Sequence, residues 1–151
     1  MKRALVLDCI LGGLVVGACG LAPDVGPRLT GTCDETDTNP GAKVSFSQQI
    51  RPIVTRPMTG CNCHLPSSSG AGPATQITGL DLSTLTSLRA GGHNSGTQIV
   101  VPLQPCGSIL YQKVDDGPPF GSRMPLGGPP YLTEDEIDLI HDWIAEGALD
   151  N

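Results

Sequence analysis

Aromatic side chains are scarce: Phe46, Tyr111, Phe120, Tyr131 and Trp143 are the whole set in 151 residues. So few large rings bury a thin core, and small domains of this kind commonly need a disulfide, a metal or a cofactor to hold them. Basic residues are few as well, nine Lys and Arg against fifteen Asp and Glu, which argues against nucleic acid as a partner. Long apolar runs are missing. The longest, Ala4 to Ala18 with Asp8 inside it, falls short of the ~20 residues that span a bilayer. There is no glycine-rich phosphate loop, no Ser/His/Asp set and no pair of carboxylates placed for acid–base work, so no enzymatic activity is expected. Glycine and proline, 20 and 14 residues, are what the chain has in quantity, and they point to a loop-rich domain.

The amino terminus reads as an export segment. Lys2 and Arg3 precede the apolar run, which ends in Val16-Gly17-Ala18-Cys19. A charged start, a short apolar middle and small residues at the end make a signal peptide. Small residues directly before a cysteine resemble the lipobox of bacterial lipoproteins, in which that cysteine carries lipid. Residues 1–18 are therefore expected to be removed, and Cys19 to anchor the chain to a membrane in the periplasm or cell envelope. The alternative is an ordinary signal peptide with a coincidental cysteine. Loss of residues 1–18 takes away Lys2, Arg3 and Asp8, leaving seven basic and fourteen acidic side chains. That acidity favours a partner with a basic docking face.

Residues 19–43 hold Pro23, Pro27 and Pro40, the acidic run Asp34-Glu35-Thr36-Asp37 and little apolar periodicity, the pattern of a flexible tether. A folded domain is expected over 44–149. Ser45-Phe46-Ser47-Gln48 fits a capping box, Phe46, Ile50, Ile53 and Val54 follow at helical spacing, and Pro52 predicts a kink or a short helix. Leu82, Leu85 and Leu88 between Gly79 and Gly91 predict two or three turns of amphipathic helix, and a second piece is expected over about Ser108 to Val114. The segment Asp115 to Pro130, with five prolines, predicts no regular structure and must be held by something else. The last helix is the most clearly marked. Thr133-Glu134-Asp135-Glu136 is a capping box with three acids in the first turn, and Gly147 closes the far end. Ile137, Ile140, Ile144 and Ala148 form one stripe with Trp143 beside it, which the first helix's stripe would match. His141, next to Ile140, is expected to be partly exposed.

Between these helices lies Cys61-Asn62-Cys63-His64. It is close to CxxCH, the pattern through which haem is fixed by two thioethers and ligated by the histidine, but one residue fewer separates the cysteines. In the usual spacing both sulfurs lie on one side of a helical turn. Cys61 and Cys63 would diverge from a regular helix. Three outcomes stay open: two thioethers on a distorted backbone, one thioether at Cys63 with Cys61 elsewhere, or a site that has lost haem. With haem on both cysteines, Cys33 and Cys106 remain as an even pair able to close a disulfide, since Cys9 lies in the removed segment and Cys19 takes lipid. Two other classes use the same residues. One is a haem-free, disulfide-stapled lipoprotein module, structural or binding, in which Cys33, Cys61, Cys63 and Cys106 form two bridges. The other is a zinc site built from Cys61, Cys63 and His64 with Cys106 or His93.

From about Val44 to Ala148 the chain resembles the mono-haem class I cytochrome c domains of exported bacterial lipoproteins. The resemblance is carried by Ser45 to Ile53 ahead of the cysteines, by Arg123-Met124-Pro125, and by Leu132-Thr133-Glu134-Asp135-Glu136-Ile137 and Asp142-Trp143-Ile144-Ala145-Glu146-Gly147-Ala148 at the end. It implies an all-α, small, loop-rich cytochrome c-like fold with the N- and C-terminal helices packed together around one haem c. It implies Cys61 and Cys63 as the thioether residues and His64 and Met124 as axial ligands of the iron. Met124 is implied by its place on a late loop, and Pro125 after it favours an extended, projecting backbone there. Met58 is too near the attachment point to reach the other face of the ring, and His93 is the rival distal ligand. Such a domain exchanges single electrons with a redox partner protein, and His/Met ligation raises its potential relative to bis-His.

Overall fold

The structure is a computed structural model that describes residues 33–57, 59–66 and 74–151. The export segment 1–18, the expected lipid site Cys19, the tether as far as residue 32, and Met58 lie outside these residues. Among the described residues every regular element is helical and there is no strand, so the all-α, loop-rich class is the one observed. In chain order a π-helical turn Phe46–Ile50 runs into α1 (Arg51–Val54). A 3-10 turn Asn62–His64, α2 (Ala74–Thr78) and α3 (Leu85–Ala90) follow, then a second 3-10 turn Gly96–Ile99, α4 (Ile109–Val114) and α5 (Glu134–Ala145). No helix among the described residues is long and apolar enough to cross a membrane.

Both ends of α5 are closed by identifiable groups. The Thr133 hydroxyl accepts the Glu136 N–H while the Glu136 carboxylate accepts the Thr133 N–H, and three acids stand at the positive end of the helix dipole. At the other end Gly147 turns the chain with φ +103°, and Arg89 donates to the carbonyls of Gly147 and Ala148. Ile137, Ile140, Trp143 and Ile144 are buried with Phe46, Ile50 and Val54 in one core. The Phe46 and Trp143 rings lie 5.7 Å apart between centroids. The Leu149 carbonyl accepts both the Phe46 N–H and the Trp143 indole N–H. The N- and C-terminal helical segments are thus packed together, as expected.

The first helix departs from expectation at its cap. The Ser45 hydroxyl does not cap; it donates to Asp150 Oδ1, which also accepts the Ser47 N–H. A carboxylate from the far end of the chain takes the capping role, and in the wider π turn Gln49 instead of Gln48 reaches back to the Ser45 N–H. Pro52 sits at the second position of α1, directly after the π turn, and α1 ends only two residues later at Val54, the short helix expected. In the middle of the chain α3 starts only at Leu85, because Thr84 and Ser87 form a capping box that leaves Leu82 before the helix, still buried. The expected second piece is α4, and α2 had no counterpart in the sequence pattern.

Two corrections concern the acidic stretch ahead of Val44. Residues 33–43, expected as a tether that only a Cys33–Cys106 pairing would fasten down, are docked on the domain. Cys33 is bonded to Cys106, the Thr38 N–H and hydroxyl donate to the two Asp142 carboxylate oxygens, and Glu35 accepts the Cys106 N–H. His141 is buried, not partly exposed: its Nε2–H donates to the Asp34 carbonyl at 2.6 Å and its ring meets Tyr111 edge-on.

These contacts are expected to make the fold acid-sensitive. Burial pushes the Asp142 carboxyl up, but the two bonds from Thr38 and the neighbouring His141 outweigh it and hold the group below the ordinary range. Glu136 is held low chiefly by Arg56, which grips it at two points, 2.6 and 3.2 Å. A carboxylate whose folded pKa is depressed contributes stability above its unfolded value and loses it as pH falls through the folded value. The thermal midpoint is expected to be flat near neutrality, to fall below about pH 4, and to fall less steeply in Asp142→Asn. A wild-type midpoint unmoved by acid, or an equal slope in the variant, would count against this assignment.

Candidate functional site

The Cys61–His64 segment is set by a close approach of backbone to backbone. A β-carbon on Gly60 would stand 2.6 to 2.7 Å from the backbone of Ile53 and Arg56, so only glycine brings the chain this near the end of α1. From there the Cys61 N–H donates to Val54, the His64 N–H to Cys61 and the Leu82 N–H to the His64 carbonyl. Both Cys61 and His64 are buried, and Cys63 is exposed.

Thr78, at the end of α2, orients His64. Its hydroxyl donates to the Ala74 carbonyl at 2.7 Å, which uses its one hydrogen. Towards Nδ1 of His64, 3.2 Å away, it is therefore an acceptor, as it is for the Leu80 N–H. Nδ1 then carries the hydrogen of the neutral ring and Nε2 the lone pair. Burial, with Lys113 nearby, pushes the His64 pKa down against the raising effect of the Leu80 backbone, which keeps the ring neutral. A neutral imidazole with one nitrogen anchored by a hydrogen bond is the form in which histidine ligates metals.

Met124 belongs to the proline-rich stretch that had to be held, and Lys113 on α4 holds it. The Lys113 carbonyl accepts the Met124 N–H at 2.6 Å, its ammonium donates to the carbonyls of Phe120 and Ser122, and it stands 4.4 Å from the Phe120 ring centroid. Burial lowers the Lys113 pKa. Arg123 adds a bond from Nε to the Val114 carbonyl and lies over the Tyr131 ring.

His64 and Met124 meet at one cleft. Its walls are mostly apolar, from Leu80, Leu82, Ile99, Ile109, Leu110, Val114 and Phe120, with Cys61, Thr78 and Lys113 also facing it. The cleft is open to solvent, and the space within it, solvent at the mouth included, is about 630 Å³. Cys61, His64 and Met124 are therefore brought together, whereas Cys63 and His93 are exposed and do not line the cleft. Thr78 and Lys113 were not singled out from sequence. Thr78 needs the unforeseen α2 to reach His64, and Lys113 acts through contacts that no local pattern announces.

The remaining thiols bear on the other two classes. Cys33 and Cys106 form a disulfide with Cα atoms 5.7 Å apart, while Cys61 and Cys63 are free. Two bridges are not formed, and Cys106 is not available to a zinc ion at Cys61 and His64. Among the described residues the one trio of metal-type side chains brought together is Cys33, Cys106 and His141, two of whose sulfurs are bonded to each other. Burial first, and the neighbouring Cys63 second, push the Cys61 thiol up to about 12, so it is a neutral thiol at physiological pH. No protein-family model, curated protein or solved structure matches this chain.

Proposed function

We propose that this chain is an electron-transfer cytochrome that holds one haem c between His64 and Met124, exported and anchored by lipid on Cys19. The observation that carries the reading is the convergence of these two side chains, one from the 3-10 turn and one from the loop before α5, on a single apolar cleft that also contains a buried free thiol. The donors fit the group: a neutral imidazole, a thioether sulfur and a thiol, around walls that suit a flat apolar ring. When bound, haem supplies reversible one-electron chemistry at its iron. The protein's own part is positional. Thr78 fixes the His64 ring and its tautomer, Lys113 ties down the loop that presents Met124, and the apolar walls keep water from the ligands. Two protein ligands leave no position for a substrate, so the role is that of a carrier and not an enzyme. The acidic surface suits a redox partner with a basic docking face.

The test is to express the chain with its signal in a host that carries c-type haem maturation, denature it and extract with acidic acetone. Haem retained by the protein, with intact mass raised by one haem, is the expected result. A colourless protein, or haem that extracts completely with no mass increase, would withdraw the reading and leave a disulfide-stapled lipoprotein module.

A further inference from the structure

The two cysteines of the Cys61–His64 segment are treated differently by the fold. Cys61 is 8% exposed, lines the cleft beside His64, and its sulfur has no hydrogen-bond partner among the described residues. Cys63 is exposed, its sulfur 4.0 Å from the Asn62 side-chain oxygen, and it is not part of the cleft wall. The reason is the turn. Asn62–His64 is a 3-10 turn with Cys61 as its first cap. Cys61, with φ −104° and ψ 37°, stands just outside the turn and lines the cleft with His64, whereas Cys63, adjacent to His64 within the turn, is rotated roughly 120° from it at three residues per turn. The shortened spacing thus keeps one sulfur and the histidine together and sends the other sulfur to solvent.

Resting on the haem reading above, we infer that attachment is by a single thioether formed by Cys61, with Cys63 left as a free, solvent-facing thiol. This reverses the sequence-based expectation that a lone thioether would be at Cys63. In the step, the Cys61 S–H adds across one vinyl C=C: a C–S bond forms at the carbon next to the ring, the thiol hydrogen goes to the terminal carbon, and the vinyl π bond is lost. No electrons leave the pair of reactants, so no oxidant or reductant is consumed.

The experiment uses the full chain, Cys61→Ser and Cys63→Ser, all matured in the same host. Three readouts are taken on denatured protein: intact mass, the α-band of the pyridine haemochrome, and maleimide labelling located by tandem mass spectrometry. The wild type is expected to carry one haem with one conjugated vinyl remaining, its α-band between those of free protohaem and doubly attached haem, and to label at Cys63. Cys63→Ser should keep covalent haem, and Cys61→Ser should release all of it to acidic acetone. A wild-type α-band of the doubly attached kind with Cys63 blocked, or covalent haem surviving in Cys61→Ser, would overturn the inference and leave the cytochrome reading standing. A wild type without haem would overturn both. The wild-type α-band and labelling decide the matter even if Cys61→Ser fails to fold.

Discussion

Removing the Cys33–Cys106 bridge in a Cys33→Ser, Cys106→Ser double variant is expected to cost about 4 kcal/mol of stability. The bridge closes a sequence separation of 73 residues. In the chain-entropy account a cross-link restricts the unfolded ensemble by an amount that grows slowly with loop length, about 3 kcal/mol for a 15-residue loop and about 4.7 for a 100-residue one. For a domain whose total stability falls in the usual range of about 5–15 kcal/mol, that is a quarter or more of the whole. A fall of roughly 10–20 °C in the thermal midpoint should accompany it. The effect also has a local component, because the bridge holds down the segment from which Asp34 reaches His141 and Thr38 reaches Asp142. Neither Cys33 nor Cys106 lines the cleft, so on the haem reading proposed above the double variant should still attach haem when matured at low temperature. The measurement is denaturant unfolding of the double variant beside wild type. A midpoint change worth less than about 1 kcal/mol would mean that the docked segment is held without its covalent tie.

How much of this was legible in the sequence depends on how far apart the interacting residues lie. The cap of α5 was legible because Thr133 and Glu136 are three residues apart and satisfy each other, and the buried stripe from Ile137 to Ala148 follows from the helical period. The first helix carried the same kind of signal at Ser45 and Gln48, and there it misled, since Asp150 competes for the Ser45 hydroxyl from the other end of the chain. His141 was misjudged for a related reason: its main partner is the carbonyl of Asp34, in a stretch whose prolines and acids read as tether. The sequence marked out His64 and Met124 as the pair to look for, and the fold brings both to the cleft wall. What holds them was not legible, because Thr78 reaches back across fourteen residues and Lys113 reaches forward across a proline-rich loop. The difference between Cys61 and Cys63 falls between these cases. It follows from local geometry, but only once the turn is known to be 3-10 and not α.

That division bears on the second large expected effect. On the haem reading proposed above, Met124→Ala should leave haem covalently attached yet abolish the methionine-to-iron charge-transfer band in the near infrared and lower the reduction potential, on a scale where axial ligands span about 0.8 V. Attachment should survive because the thiol and the histidine are supplied by the Cys61–His64 segment, whose hydrogen bonds to Val54, Leu82 and Thr78 do not involve Met124. The loop should survive as well. Its tie is the Met124 main-chain N–H on the Lys113 carbonyl, which alanine keeps, together with the Lys113 ammonium on the carbonyls of Phe120 and Ser122. The Met124 side chain is only partly buried, so the loss in stability should sit at or below the lower end of the ~2–5 kcal/mol seen for buried methionine to alanine. Ligand loss and unfolding are thereby separable: the band disappears while the thermal midpoint moves little. If Met124 holds the iron, its loss should also let carbon monoxide bind the reduced variant and not the reduced wild type. An unchanged near-infrared spectrum in Met124→Ala would remove this residue from the iron.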